Sequence, residues 1–138
     1  MAFTGPVDDR LAIHELVASY ADAVSRRDAK DWGDLWASNG VWCVPSFPSL
    51  ERVEGRETIR NAWQAAMDNF SMNIMIQTLG AVDVQGDTAT GRAYHNELVT
   101  DLEGNTHTAM GLYEDDYVRN DGIWQFAKRT FTPLHSGD

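Results

Sequence analysis

The apolar residues of this chain change their spacing once, near Ser71, and that change limits the fold more than any other feature of the sequence. Before it they recur three and four residues apart, which gathers side chains on one face of a helix. After it they alternate, as they do along a strand. Ile13, Leu16, Val17, Tyr20 and Val24 form the first helical stripe, just after the helix-excluding Pro6, with Asp8 or Asp9 as the expected cap. Residues 28–37 read as a short second helix with Trp32, Leu35 and Trp36 inward, stopped by Ser38-Asn39-Gly40. Residues 41–44 read as a short strand and 45–49, with two prolines, as a loop. Gly55 opens a third helix over 56–69, whose stripe is Ile59, Ala62, Trp63, Ala66, Met67 and Phe70.

Beyond Ser71 the spacing predicts strands over 72–84, 88–101, 106–119 and 123–134, joined at Gln85-Gly86-Asp87, Glu103-Gly104-Asn105 and Asn120-Asp121-Gly122. Short glycine-bearing connections join antiparallel neighbours. The expected fold is one α+β domain over residues 1–138. Three helices pack on a curved, mainly antiparallel sheet of at most six strands, making a cone with an apolar interior suited to a ligand. Composition narrows the function. The net charge is −10 with no basic cluster, a surface that phosphate backbones repel, so nucleic acid is not an expected partner. No apolar run reaches the ~18 residues of a membrane span, and residues 1–6 carry no secretory pattern. Cys43 is the only cysteine, which excludes an internal disulfide and suits the reducing cytoplasm, the expected location.

Several strings, in order, carry a resemblance: Leu16-Val17-Ala18-Ser19-Tyr20-Ala21-Asp22-Ala23, Asp28 before Leu35-Trp36-Ala37, Gly55-Arg56-Glu57-Thr58-Ile59-Arg60, Gly86-Asp87-Thr88-Ala89-Thr90-Gly91, Gly111-Leu112-Tyr113-Glu114-Asp115 and Asp121-Gly122-Ile123-Trp124-Gln125-Phe126. Over nearly its whole length the chain resembles the SnoaL-like branch of the nuclear-transport-factor-2-like superfamily. The resemblance implies a cone-shaped fold, usually oligomeric, whose members often act without metal or organic cofactor. Some remove a proton and expel a leaving group, others cyclise or isomerise, and some only bind. In the dehydratase-like members an Asp stands five residues after the helix-one aromatic and a His stands early in the first long strand. Here the first of these positions is Ser25, and Met72-Asn73-Ile74-Met75-Ile76-Gln77 contains no His. The usual His–Asp base is absent.

Alternation identifies polar groups that could replace it. Ala89, Gly91, Ala93, His95, Glu97 and Val99 share a strand face, and the small residues mark it as the face crowded by helices. His95 beside Glu97 has the composition of a general base with an orienting carboxylate; the other reading is a surface pair at a strand end. On the next strand Tyr113 resembles cavity-lining positions of the family. It could donate to a substrate oxygen or fill space, and Asp115 could meet substrate or pair with Arg129 or Arg119. Arg129, if inward, could hold a substrate anion; if outward, it is a solvated sheet residue. Tyr20, Trp42, Trp63, Met67, Phe70, Met72 and Met75 are candidate cavity walls or plain core. There is no phosphate loop, paired Cys or His-x-x-x-His, so no metal or other cofactor is expected. Two functions follow: a cofactor-free lyase or isomerase for a small aromatic or polycyclic oxygenated molecule, or a binding or assembly module that has lost its chemistry. A homodimer or homotrimer is expected, covering Tyr94, Leu98, Trp124 and Phe126 on the far face of the sheet.

Overall fold

The computed structural model of the protein describes residues 2–137. Its elements run β1 (Phe3–Thr4), α1 (Val7–Arg26), α2 (Ala29–Asp34), β2 (Trp36–Cys43), β3 (Val53–Glu54), α3 (Arg56–Met67), β4 (Phe70–Gln85), β5 (Thr88–Asp101), β6 (Thr106–Asn120) and β7 (Ile123–Gly137). One sheet contains all seven strands in the order β1-β4-β5-β6-β7-β2-β3. The expected count of six is exceeded because two strands of two residues each, β1 and β3, extend its edges. β4 to β7 form an antiparallel meander, while β1 runs parallel to β4 and β2 parallel to β7. The three helices pack on one face, so the architecture is the α+β arrangement expected. At the β6–β7 turn, Asp121 (φ 50°) and Gly122 (φ 78°) both take positive φ, the pair of left-handed residues that a tight two-residue hairpin requires.

Three local expectations are corrected. Neither Asp8 nor Asp9 caps α1: the cap position is Pro6, and Asp9 instead accepts from Arg119 and from the Trp124 indole, tying the helix start to β6 and β7. Asp28 does cap α2, accepting from the Asp31 N–H, but the helix ends at Asp34. Trp36 lies in β2 because its neighbour Leu35 accepts a backbone hydrogen bond from Phe126, which draws the chain into the sheet. The third correction concerns β7. Tyr117 pairs with Phe126 but Asp116 pairs with Lys128, so Ala127 is an extra residue. Such a bulge reverses the alternation on either side of it. Trp124, Phe126 and Arg129 therefore all point inward and are buried. Trp124 and Phe126 are not part of an outer apolar patch.

The core lies between the helices and the concave side of the sheet. Four of its fully buried rings, Trp32, Trp36, Tyr20 and Phe126, interlock as tilted and edge-on pairs. Towards the α3 end these rings give way to a chamber.

Candidate active site

The chamber has a volume of about 150 Å³ and is bordered by residues of α1, β2, the loop after it, α3 and β4 to β7. Tyr20, Trp42, Trp63, Met67, Met75, His95, Glu97 and Tyr113 all line it. These are eight of the twelve residues that the sequence singled out, and Met72 lines neither the chamber nor the groove beside it. Phe70 instead lines an outer groove that adjoins the chamber, with Phe47, Leu50, Ala62, Ala65 and Ala66. Arg129 and Asp115 lie behind the chamber wall.

His95 is the only histidine lining the chamber, and it is 5% exposed. The β5 alternation sends it inward, and its neighbour across the β5–β6 ladder is Gly111. A Cβ at Gly111 would come within 2.8 Å of the imidazole Cε1 and 2.0 Å of the Phe131 ring, so the glycine makes room for both rings. His95 Nε2 lies 3.5 Å from Glu97 Oε1. Its Nδ1 is buried with no hydrogen-bond partner among the described residues. With the proton on Nε2, facing the carboxylate, the lone pair stands on Nδ1.

Glu97 is held in turn. Its other oxygen accepts from Asn73 Nδ2 at 3.2 Å, and Asn73 Oδ1 accepts from Arg27 at 2.6 Å. Arg27 also donates to the Met67 carbonyl from a backbone in the left-handed region, φ 58°, where it ends α1. Asn73 and Arg27 were not read as site residues from the sequence. Asn73 does carry a signal, since it alternates with Met75 and Gln77 on the inward face of an apolar strand. Arg27 carries none, because only the packing of α1 on β4 brings it there.

Ser25 stands where the resemblance implies an Asp. Its hydroxyl accepts from the Met75 N–H at 2.9 Å and donates to the Ala21 carbonyl at 2.9 Å. It fastens α1 to β4 and offers no base. The remaining histidines are elsewhere: His14 is exposed and stacks on Phe3, His107 lies near Asp101 at the β5–β6 turn, and His135 is exposed near the chain end.

The buried Arg129 makes two contacts with the Asp115 carboxylate, Nε to Oδ1 at 2.8 Å and a terminal nitrogen to Oδ2 at 2.9 Å. That nitrogen also donates to Gln77, and the Tyr117 hydroxyl donates to Asp115 at 2.7 Å. The guanidinium carbon sits 3.8 Å from the Tyr113 ring centre, 4.4 Å from Tyr20 and 4.3 Å from Phe126. Burial works to lower the Arg129 pKa, but the Asp115 charge overcomes it and the net shift is upward. Arg129 thus points inward, as one reading held, yet its guanidinium is engaged by Asp115, Gln77 and aromatic faces. It supports the two tyrosines that line the chamber. Burial also pushes the Tyr113 phenol well above its ordinary value and raises Tyr20, so both keep their O–H protons at neutral pH.

Trp42, which also lines the chamber, carries a buried indole N–H with no hydrogen-bond partner among the described residues. The lining therefore combines one imidazole and one carboxylate with two protonated phenols, two indoles and otherwise apolar side chains. Among the described residues, no three His, Cys, Asp or Glu side chains converge as a metal ion requires. No helix among them is long and apolar enough to cross a membrane.

The chain is similar to several known proteins in sequence and in fold. The chain is 25% identical over 135 residues to gamma-hexachlorocyclohexane dehydrochlorinase of Sphingobium indicum, covering 91% of this chain and 83% of that protein. Among solved structures, a Novosphingobium aromaticivorans protein provisionally described as an aromatic ring hydroxylase superposes with a TM-score of 0.86 at 27% identity, over 96% of this chain and 93% of that one. A second protein of that organism, provisionally described as a scytalone dehydratase, shares the fold at a TM-score of 0.84 and 18% identity, over 96% and 88% of the two chains. The model of the SnoaL-like domain family matches residues 6–130, and the chain belongs to that family.

Proposed function

We propose that this chain is a lyase or isomerase that moves a proton on a small, ring-containing oxygenated or halogenated molecule, using side chains alone. The observation that carries this reading is His95, buried on the chamber wall with Nε2 towards Glu97 and Nδ1 unpartnered. In this reading Nδ1 removes a proton from a carbon next to an activating group. The released electron pair forms the new double bond or an enolate. In elimination the leaving group departs with its bonding electrons, and in isomerisation the imidazolium returns its proton to another carbon. The Tyr113 O–H and the Trp42 N–H are the donors for the developing negative charge. The apolar walls keep out the water that would weaken those contacts. A similarity to a dehydrochlorinase supports the elimination chemistry, and with Ser25 in place of an Asp the base in this reading is His95 on β5.

A second reading, a binding module, draws on the Ser25–Met75 contact, which occupies the site of the family's usual dyad with a structural bond. One experiment separates the two. A panel of cyclic compounds bearing a hydroxyl or chloride one carbon from an acidic C–H is incubated with the protein in D₂O. Release of water or chloride, or washing of deuterium into the recovered compound, is expected for at least one member. Saturable binding across the panel with neither product nor deuterium establishes the binding module instead.

A further inference from the structure

The chamber is small for the function just assigned. Pockets for drug-sized ligands run ~300–1,000 Å³, while a closed apolar cavity of ~150 Å³ holds one benzene-sized ring. At about 150 Å³ the His95 chamber accepts a ring and little more. A second space adjoins it. Leu50 and Ala66 line both the chamber and the outer groove, whose volume is about 630 Å³. The groove runs between α3 and the loop that follows β2. One wall is Phe47, Ser49 and Leu50, and the other is built on Ala62, Ala65, Ala66, Asn69 and Phe70.

Two features give the groove its chemistry. Three alanines on α3 leave the space open, where any longer side chain would fill it. None of its lining residues is charged, although the chain carries a net −10. Ser49 and Asn69 are its only polar side chains. Such a surface has nothing to hold a carboxylate, phosphate or ammonium group, and it gains free energy from removing apolar area from water.

We propose that the substrate has two parts: a single ring carrying the reacting carbon, seated in the chamber at His95, and an uncharged alkyl or aryl tail, lying in the groove between Phe47 and α3. The ring placement rests on the function proposed above, while the tail groove is a property of binding and is measured without turnover. The shared wall at Leu50 and Ala66 is where the two parts of the molecule join. The groove then sets specificity by the length and charge of the tail, and the chamber sets it by the size of the ring.

The probes are phenol and its 4-ethyl, 4-butyl and 4-hexyl derivatives, whose binding is followed by the fluorescence of the chamber tryptophans and by calorimetry. Each added methylene that enters the groove should tighten binding by about fourfold, from ~0.8 kcal/mol per buried CH₂. A terminal carboxylate on the longest tail should abolish the gain. Two variants at exposed positions test the location. Ala65→Trp fills the groove and Phe47→Asp places a charge in it, and both should flatten the dependence on chain length while circular dichroism stays unchanged. Since the readout is the slope within each protein, it does not depend on how tightly the ring itself binds. A flat series in the unmodified protein, or a slope that persists in both variants, overturns the proposal. A steep series in a protein that turns over no compound leaves the two-part site standing and defeats the catalytic reading instead.

Discussion

Glu97 acts on the chemistry only through His95. Its carboxylate faces Nε2, and Asn73 and Arg27 keep it there. Glu97→Gln keeps the shape and loses the charge that selects the imidazole tautomer. The expected result is a fall in kcat/KM of about tenfold or more. It should be accompanied by ¹⁵N shifts of the imidazole that change from a single Nε2–H form to a mixture. A wild-type pattern in the variant would mean that the carboxylate does not orient the ring. Gly111→Ala tests the same ring from the neighbouring strand. The added methyl group would lie 2.8 Å from the His95 ring and 2.0 Å from Phe131, so both must move. Lower activity together with a lower denaturation midpoint is expected. At this scale the sequence exposed His95, Glu97 and Tyr113 because strand alternation fixes the side of the sheet that each faces. It concealed Arg27, whose place depends on how a helix end packs against a strand residue 46 positions further along the chain.

The strands carry the candidate site, and the bulge in β7 decides what lies behind it. Up to Ala127 the alternation of β7 turns Trp124 and Phe126 inward, and the extra residue then turns Arg129 to the same side. Nothing in the local sequence marks Ala127, which is why the faces of β7 were misread while those of β5 and β6 were legible. The three glycine-bearing turns and the stripe of α1 were equally legible, being local signals, whereas Trp36 and Phe70, read into helical stripes, begin β2 and β4. The C-terminal end of α2 was not, because the pull of β7 on Leu35 is a tertiary effect. The Arg129–Asp115 pair is the deepest polar contact of these elements. Arg129→Met leaves the Asp115 carboxylate buried without its partner and should cost about 3–5 kcal/mol. The shift in the urea midpoint measures it, and Arg129→Met combined with Asp115→Leu should recover part of the loss. A single variant as stable as the wild type would contradict the structural role.

For the molecule as a whole, the convex face of the sheet exposes Ile74, Ile76, Tyr94, Leu98 and Met110 on three adjacent strands. This patch keeps Tyr94 and Leu98 of the one expected and has Ile74, Ile76 and Met110 in place of the buried Trp124 and Phe126; the homodimer or homotrimer remains a proposal. Sedimentation at micromolar concentration should show that assembly, and Ile76→Asp should dissociate it; a monomeric wild type would end the proposal. The buried tyrosines set an alkaline limit. Desolvation holds Tyr113 and Tyr117 well above the ordinary phenol value of 10.0, and raises Tyr20. The folded chain therefore keeps protons that the unfolded chain releases, so their contribution to stability is full below about pH 10 and is lost as pH rises beyond it. Denaturant midpoints measured from pH 8 to 11 should be level at first and then fall. The central claim, that His95 is the base of a cofactor-free proton transfer, is tested most directly by kcat/KM for His95→Ala. The assay uses a compound that the wild-type protein turns over after dialysis against a chelator. A loss of ~10²–10⁴-fold with an unchanged unfolding midpoint is the result predicted, and a rate within about twofold of wild type would contradict it.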